Sequence, residues 1–96
     1  MKLRWTPHAT SQLSNLYDHI AEDRPDAASK QVSRITQATH RLLKFPYLGQ
    51  PGRIQGSREL AVPSTPYLIA YRIGDDSIQI LGVQHGAQLW PGSFVH

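Results

Sequence analysis

Two arginines and a histidine, Arg58, Arg72 and His85, lie on or beside the most strand-like stretches of this 96-residue chain, "RELAV", "YLIAYRI" and "IQILGVQH". These side-chain types could act on a phosphodiester. A histidine titrates near neutrality and can serve as general acid or base. An arginine can stabilise negative charge as it develops on a phosphoryl group. The same three residues could instead form a basic surface on which a partner docks. Plainer roles compete with both. His85 precedes Gly86 and could simply be hydrogen-bonded at a strand end. Arg72 could lay its stem over the sheet and pair with Asp75, Asp76 or Glu59. Arg58 and Glu59 could form an ion pair. Trp90 could anchor an interface or close the small core.

Other chemistries find little support. His8, His19, His40, His85 and His96 make no metal-binding pattern, and His8 and His19 have no acidic ligand at a matching position. No Gly-rich phosphate loop precedes a helix, because "GQPGR" (Gly49 to Arg53) runs into a strand. No nucleophile elbow is present. The absence of cysteine rules out disulfides and thiolate metal sites, and it fits a reducing cytoplasm. No cofactor or metal is expected.

The elements that must position these residues follow from periodicity. "KLRW" (Lys2 to Trp5) alternates polar and apolar residues, as a short strand does. Thr6 is a good N-cap and Pro7 suits a first helical position. Ala9, Leu13, Leu16, Tyr17 and Ile20 then give one apolar face, ending near Glu22. Pro25 starts a second helix. Its stripe is Ala28, Val32, Ile35, Ala38 or Thr39, and Leu42, with Asp26 in the first turn and Arg41 and Lys44 in the last. A link of about three residues makes the two helices an antiparallel hairpin.

Pro46 to Gly56 is rich in Gly and Pro and reads as a loop. Three strands follow, Arg58–Val62, Tyr67–Ile73 and Ile78–His85, joined by "PSTP" and "GDDS" turns. Alternation puts Tyr67, Ile69, Tyr71 and Ile73 opposite to Leu68, Ala70 and Arg72. It sets Ile78, Ile80, Gly82 and Gln84 opposite to Gln79, Leu81, Val83 and His85. The expected architecture is α+β, in the order β-α-α-β-β-β. A helix hairpin packs on one face of a small, mostly antiparallel, curved sheet. The partner of the first strand is left open.

The length suggests one domain spanning residues 1–96. A formal net charge of +3 is compatible with an anionic partner. No apolar run approaches the roughly 20 residues of a membrane span, and none resembles a signal peptide. The expected location is the cytoplasm.

"RELAV", "PYLIAYRI", "IQILGVQHGAQLWP" and the early spacing of Trp5, Ala9, Leu13, Leu16 and Ile20 resemble the ParE branch of the RelE/ParE toxin superfamily. The likeness spans nearly the whole chain, and the ordered set ending in "HGAQLWP" is its most specific part. The resemblance implies the toxin of a bacterial type II toxin–antitoxin module, neutralised by a ParD-like antitoxin. The ParE branch is linked to poisoning of DNA gyrase, the RelE branch to cleavage of messenger RNA on the ribosome. RelE-like chains place basic residues early in the strand that here begins Tyr67–Leu68, and just after the last strand, here Gly86–Ala87–Gln88. Both places lack one, and the tyrosine such chains carry near the C-terminus is missing. The resemblance therefore favours a gyrase-directed binder, with ribosome-dependent mRNA cleavage or a non-toxic binding module as alternatives. On that reading Arg58, Arg72, His85, Gln88 and Trp90 meet the target, and Leu13, Leu16, Tyr17 and Ile20 meet the antitoxin. A nuclease would use Arg58, Arg72 and His85.

Overall fold

The computed structural model describes residues 1–86. The elements run β1 (Lys2–Trp5), α1 (Pro7–Ala21), α2 (Pro25–Lys44), β2 (Gln50–Pro51), β3 (Arg58–Ala61), β4 (Tyr67–Ile73) and β5 (Ser77–His85). They form a five-stranded mixed sheet in the order β1-β5-β4-β3-β2, with the helix hairpin on one face. The α+β expectation holds. The first strand pairs parallel with β5, Leu3 beside Ile78 and Trp5 beside Ile80, while the remaining pairs are antiparallel. The loop expected over residues 46–56 contains β2, whose Gln50 and Pro51 face Glu59 and Arg58. Proline fits there because β2 is an edge strand.

The core is what the helical stripes and one sheet face bring together. Ala9, Ile35, Ala38 and Leu42 pack on Val62, Ile69, Tyr71, Ile78, Ile80 and Val83. Leu13 and Leu16 pack half-buried at the edge of this cluster. Thr39 is fully buried, and its hydroxyl is satisfied by donating to the Thr36 carbonyl at 2.7 Å.

Helix α1 is tied to β5 where β1 runs out. The Thr6 hydroxyl accepts from the Ala9 amide at 3.1 Å, capping the helix, and donates to the Ile80 carbonyl at 3.0 Å. Three residues beyond β5's last pairing with β1, at Ile80, the Val83 amide donates to Gln12 Oε1 at 2.8 Å. The Ile80 carbonyl also accepts from the Thr6 amide at 3.1 Å, so the α1 side chain that satisfies a backbone group of β5 beyond its pairing with β1 is that of Gln12.

One irregularity changes which residues share a face. On β4–β5, Ala70 faces Gly82 but Tyr71 faces Ile80, so Leu81 is an extra residue in a β-bulge. Strict alternation placed Val83 and His85 opposite to Ile78 and Ile80. The bulge reverses that phase. Ile78, Ile80, Val83 and His85 lie across from Ile73, Tyr71, Ile69 and Tyr67, all on the helix-facing side.

Candidate functional site

Arg58, Arg72 and His85 occupy three different surroundings. His85 ends β5 directly across from Tyr67, with ring centroids 5.8 Å apart and planes at 83°, an edge-to-face contact. Their side chains line a cleft of about 420 Å³ between the sheet and α1. Its other described walls are Gln12, Asn15, Leu16, His19, Val83 and Gln84. Desolvation in this setting pushes the Tyr67 phenol above its ordinary value of 10.0. The cleft thus carries two imidazoles, one from α1 and one from β5, and a neutral phenol. Such groups can hold or move a proton.

Arg58 serves a loop. Its Nη2 donates to the carbonyls of Gly49 and, at 3.4 Å, Tyr47, and its guanidinium stacks 5.1 Å from the Tyr47 ring centroid. Beside it the fully buried Tyr71 hydroxyl donates to the Pro46 carbonyl at 2.7 Å and accepts from the Gly49 amide at 3.0 Å. Gly49 is required by this arrangement. A Cβ there would lie 2.6 Å from the Glu59 carbonyl oxygen and 2.8 Å from the Tyr71 hydroxyl. Two strand residues therefore clamp the segment between α2 and β2. That segment displays Phe45, Tyr47 and Leu48, which are 51%, 73% and 40% exposed.

The expected Arg58–Glu59 pair does not form. Neighbours along a strand point to opposite faces, and Glu59 instead takes the Arg53 Nε at 3.6 Å and the Arg53 amide at 3.0 Å. Arg72 lies exposed on the face away from the helices, across from Gln79, which in turn faces Arg4 on β1. Among the described residues it makes no ion pair, so the expected bridges to Asp75, Asp76 or Glu59 are absent.

The structure does not gather the three residues. Arg72 is on the opposite face of the sheet from Arg58 and His85. The latter two are separated by four residues along the strands and two strands across, roughly 16 Å. Gln88 and Trp90 lie outside the described residues. Of the residues assigned to an antitoxin, Leu13, Leu16 and Ile20 are half-buried and Tyr17 is 38% exposed. Sequence reading missed the display loop, Tyr67 and His19. The signal for the loop was available, since "FPYL" sets three large apolar residues beside a Gly/Pro-rich stretch. No comparable signal marks Tyr67, whose place beside His85 depends on register. Among the described residues no three His, Asp or Glu side chains converge as a metal-binding group.

A helix hairpin on a small mixed sheet thus carries its candidate groups on both sheet faces. The chain matches the model of the ParE toxin of type II toxin–antitoxin systems (parDE) over residues 3–90, and it belongs to that family. It is 43% identical to toxin Y4kP of Sinorhizobium fredii over 90 residues, covering 94% of this chain and 93% of that one. It is 29% identical to toxin RelE2 of Caulobacter vibrioides over 85 residues, covering 88% and 94%. Its fold is similar to a chain of the chromosomal ParDE system of P. aeruginosa, with TM-score 0.80 and 30% identity over 88% of this chain and 95% of that one. A chain of the RelBE2 toxin–antitoxin complex of Mycobacterium tuberculosis shares the fold at TM-score 0.64 and 24% identity, with the same coverage. The protein is thus a type II toxin of the ParE/RelE kind. Among the described residues, no helix is long and apolar enough to cross a membrane.

Proposed function

We propose that this toxin acts in the cytoplasm by docking on DNA gyrase and holding it in its DNA-cleaved state, and that a ParD-like antitoxin neutralises it. The observation that carries the docking reading is the dispersal of Arg58, Arg72 and His85 over two faces, with Arg58 committed to the Tyr47–Gly49 loop. General acid–base catalysis needs its groups within hydrogen-bond reach of one reacting centre. Docking tolerates groups spread over a surface, with exposed apolar side chains at its centre and charge around them. The Phe45, Tyr47 and Leu48 display beside Arg58 supplies such a surface.

In this reading Arg72, His85, Gln88 and Trp90 contact the target, and Arg58 contributes by holding the loop beside it. Leu13, Leu16, Tyr17 and Ile20 give the antitoxin an apolar strip along α1, and the antitoxin orders as it binds. The family match over residues 3–90 and the likeness to a chain of a ParDE system support the antitoxin partner.

One observation favours a second reading, ribosome-dependent mRNA cleavage. The His19, Tyr67 and His85 cleft could house a general base. Expression without the antitoxin separates the two. The gyrase reading predicts an SOS response and DNA-linked gyrase before translation falls. Early cuts in ribosome-bound message, abolished by His85→Ala in a protein that still folds, would replace it with the second.

A further inference from the structure

The chain's positive charge is not spread evenly. On α2, Lys30, Arg34, Arg41 and Lys44 fall within an arc of roughly 80° on the side away from the core, at 3.6 residues per turn. All four are exposed. The stripe they form is about 21 Å long at 1.5 Å per residue. Asp26, in the first turn, is the helix's single acidic residue. Removing these four from the ten Lys and Arg leaves six against seven Asp and Glu. The rest of the chain is therefore net −1, and the stripe carries the whole excess.

Nothing within the described residues neutralises it. The ion pair there is Arg53–Glu59. Arg34 donates to the Ser64 carbonyl at 3.3 Å, a neutral acceptor, and Lys44 sits 5.8 Å over the exposed Phe45 ring. Between α2 and the turn after β3, Arg34, Gln37, Ala38, Arg41 and Pro63 line a shallow cleft of about 230 Å³. Two of its walls are guanidinium-bearing side chains, which suit the bidentate recognition of a phosphate.

We propose that this face of α2 binds the phosphate backbone of duplex DNA. A protein partner is the weaker fit, because interfaces between proteins centre on apolar and aromatic side chains. The residues between the cations, Ser33 and Gln37, are polar and exposed, and none of the large exposed hydrophobics is on α2. Single strands are held by aromatic stacking as well as charge, and the ring set against a cation of the stripe is Phe45, at its Lys44 end only. A straight row of cations without an apolar centre is the pattern of sequence-independent backbone contact. The choice of DNA over RNA rests on the gyrase reading, which places the toxin beside cleaved DNA. The cationic stripe itself is independent of that reading.

The test uses the full chain and a fluorescent 20-base-pair DNA duplex, read by anisotropy across a salt series. Four neutralised phosphates give a slope of log affinity against log salt of about −3.6, so binding falls on the order of a hundredfold between 50 and 200 mM salt. The variant Lys30→Gln/Arg34→Gln/Arg41→Gln/Lys44→Gln keeps good helix formers at all four positions. It should fold as the wild type by circular dichroism, lose more than tenfold in affinity and flatten the slope. The control Lys2→Gln/Arg4→Gln/Arg24→Gln removes exposed charge elsewhere and should bind nearly as well as the wild type. Equal binding by the stripe variant, an equal loss in the control, or no binding at 50 mM salt would overturn the proposal. Tighter binding to duplex RNA or to polyglutamate would overturn the assignment to DNA. Gyrase–DNA cleavage is scored separately, so a toxin that traps gyrase yet ignores free duplex refutes this inference alone.

Discussion

Replacing Tyr71 with phenylalanine removes one buried oxygen and should unlatch the segment between α2 and β2. That oxygen satisfies two backbone groups, the Pro46 carbonyl and the Gly49 amide. Gly49 is buried, so its orphaned amide bears the full desolvation penalty of about 1–3 kcal/mol. Pro46 is half-buried and water can reach its carbonyl, so its share is smaller. The expected loss is about 2 kcal/mol, which for a domain of this length lowers Tm by roughly 10 °C. Urea unfolding followed by circular dichroism measures it, with an unchanged denaturant slope showing that the end states are the same. Hydrogen exchange gives the local readout, since the Gly49 amide should exchange much faster in the variant. Tyr71→Ala should cost more, about 3–5 kcal/mol, because it also empties a core position. A Tyr71→Phe variant within 0.5 kcal/mol of the wild type, with Gly49 still protected, would show that the hydroxyl is no latch.

Gly49→Ala forces a Cβ against the Glu59 carbonyl oxygen and should destabilise by about 1–3 kcal/mol, an overpacking cost read in the same unfolding assay. Gln12→Ala leaves the Val83 amide without its acceptor and should cost about 1–3 kcal/mol, with Gln12→Glu recovering part of it. The raised Tyr67 value has a defined sign. Its contribution to stability is complete below the ordinary tyrosine value of 10.0 and is lost as pH rises through the higher folded value. An alkaline unfolding titration should therefore show a steeper fall for the wild type than for Tyr67→Phe.

Much of the fold was legible because its signals are local. Thr6–Pro7 and Pro25 mark the helix starts, the stripes through Ile35 and Leu42 mark the buried face, and Gly74–Ser77 marks a turn between strands. What escaped depends on pairing. Leu81 carries nothing in its own chemistry that announces a bulge, yet that one residue moves His85 from the open face to the helix-facing side. Likewise, Arg58 and Tyr71 look like ordinary strand residues. Only their register, directly across from one another, makes them a joint clamp on a loop more than twenty residues from Tyr71 in sequence. The grouping of the candidate residues therefore differs between sequence and structure. Three residues named together are apart, while Tyr67 and His19, not named with His85, line its cleft.

The most direct measurement of the central claim is a supercoiled-plasmid cleavage assay with purified toxin and gyrase, trapping covalent gyrase–DNA complexes with detergent. A toxin that docks on gyrase should give linear plasmid that accumulates with toxin concentration and disappears when a ParD-like antitoxin is added in equimolar amount. Plasmid left uncleaved at saturating toxin, alongside cut message when the same preparation is added to translating ribosomes, would contradict it.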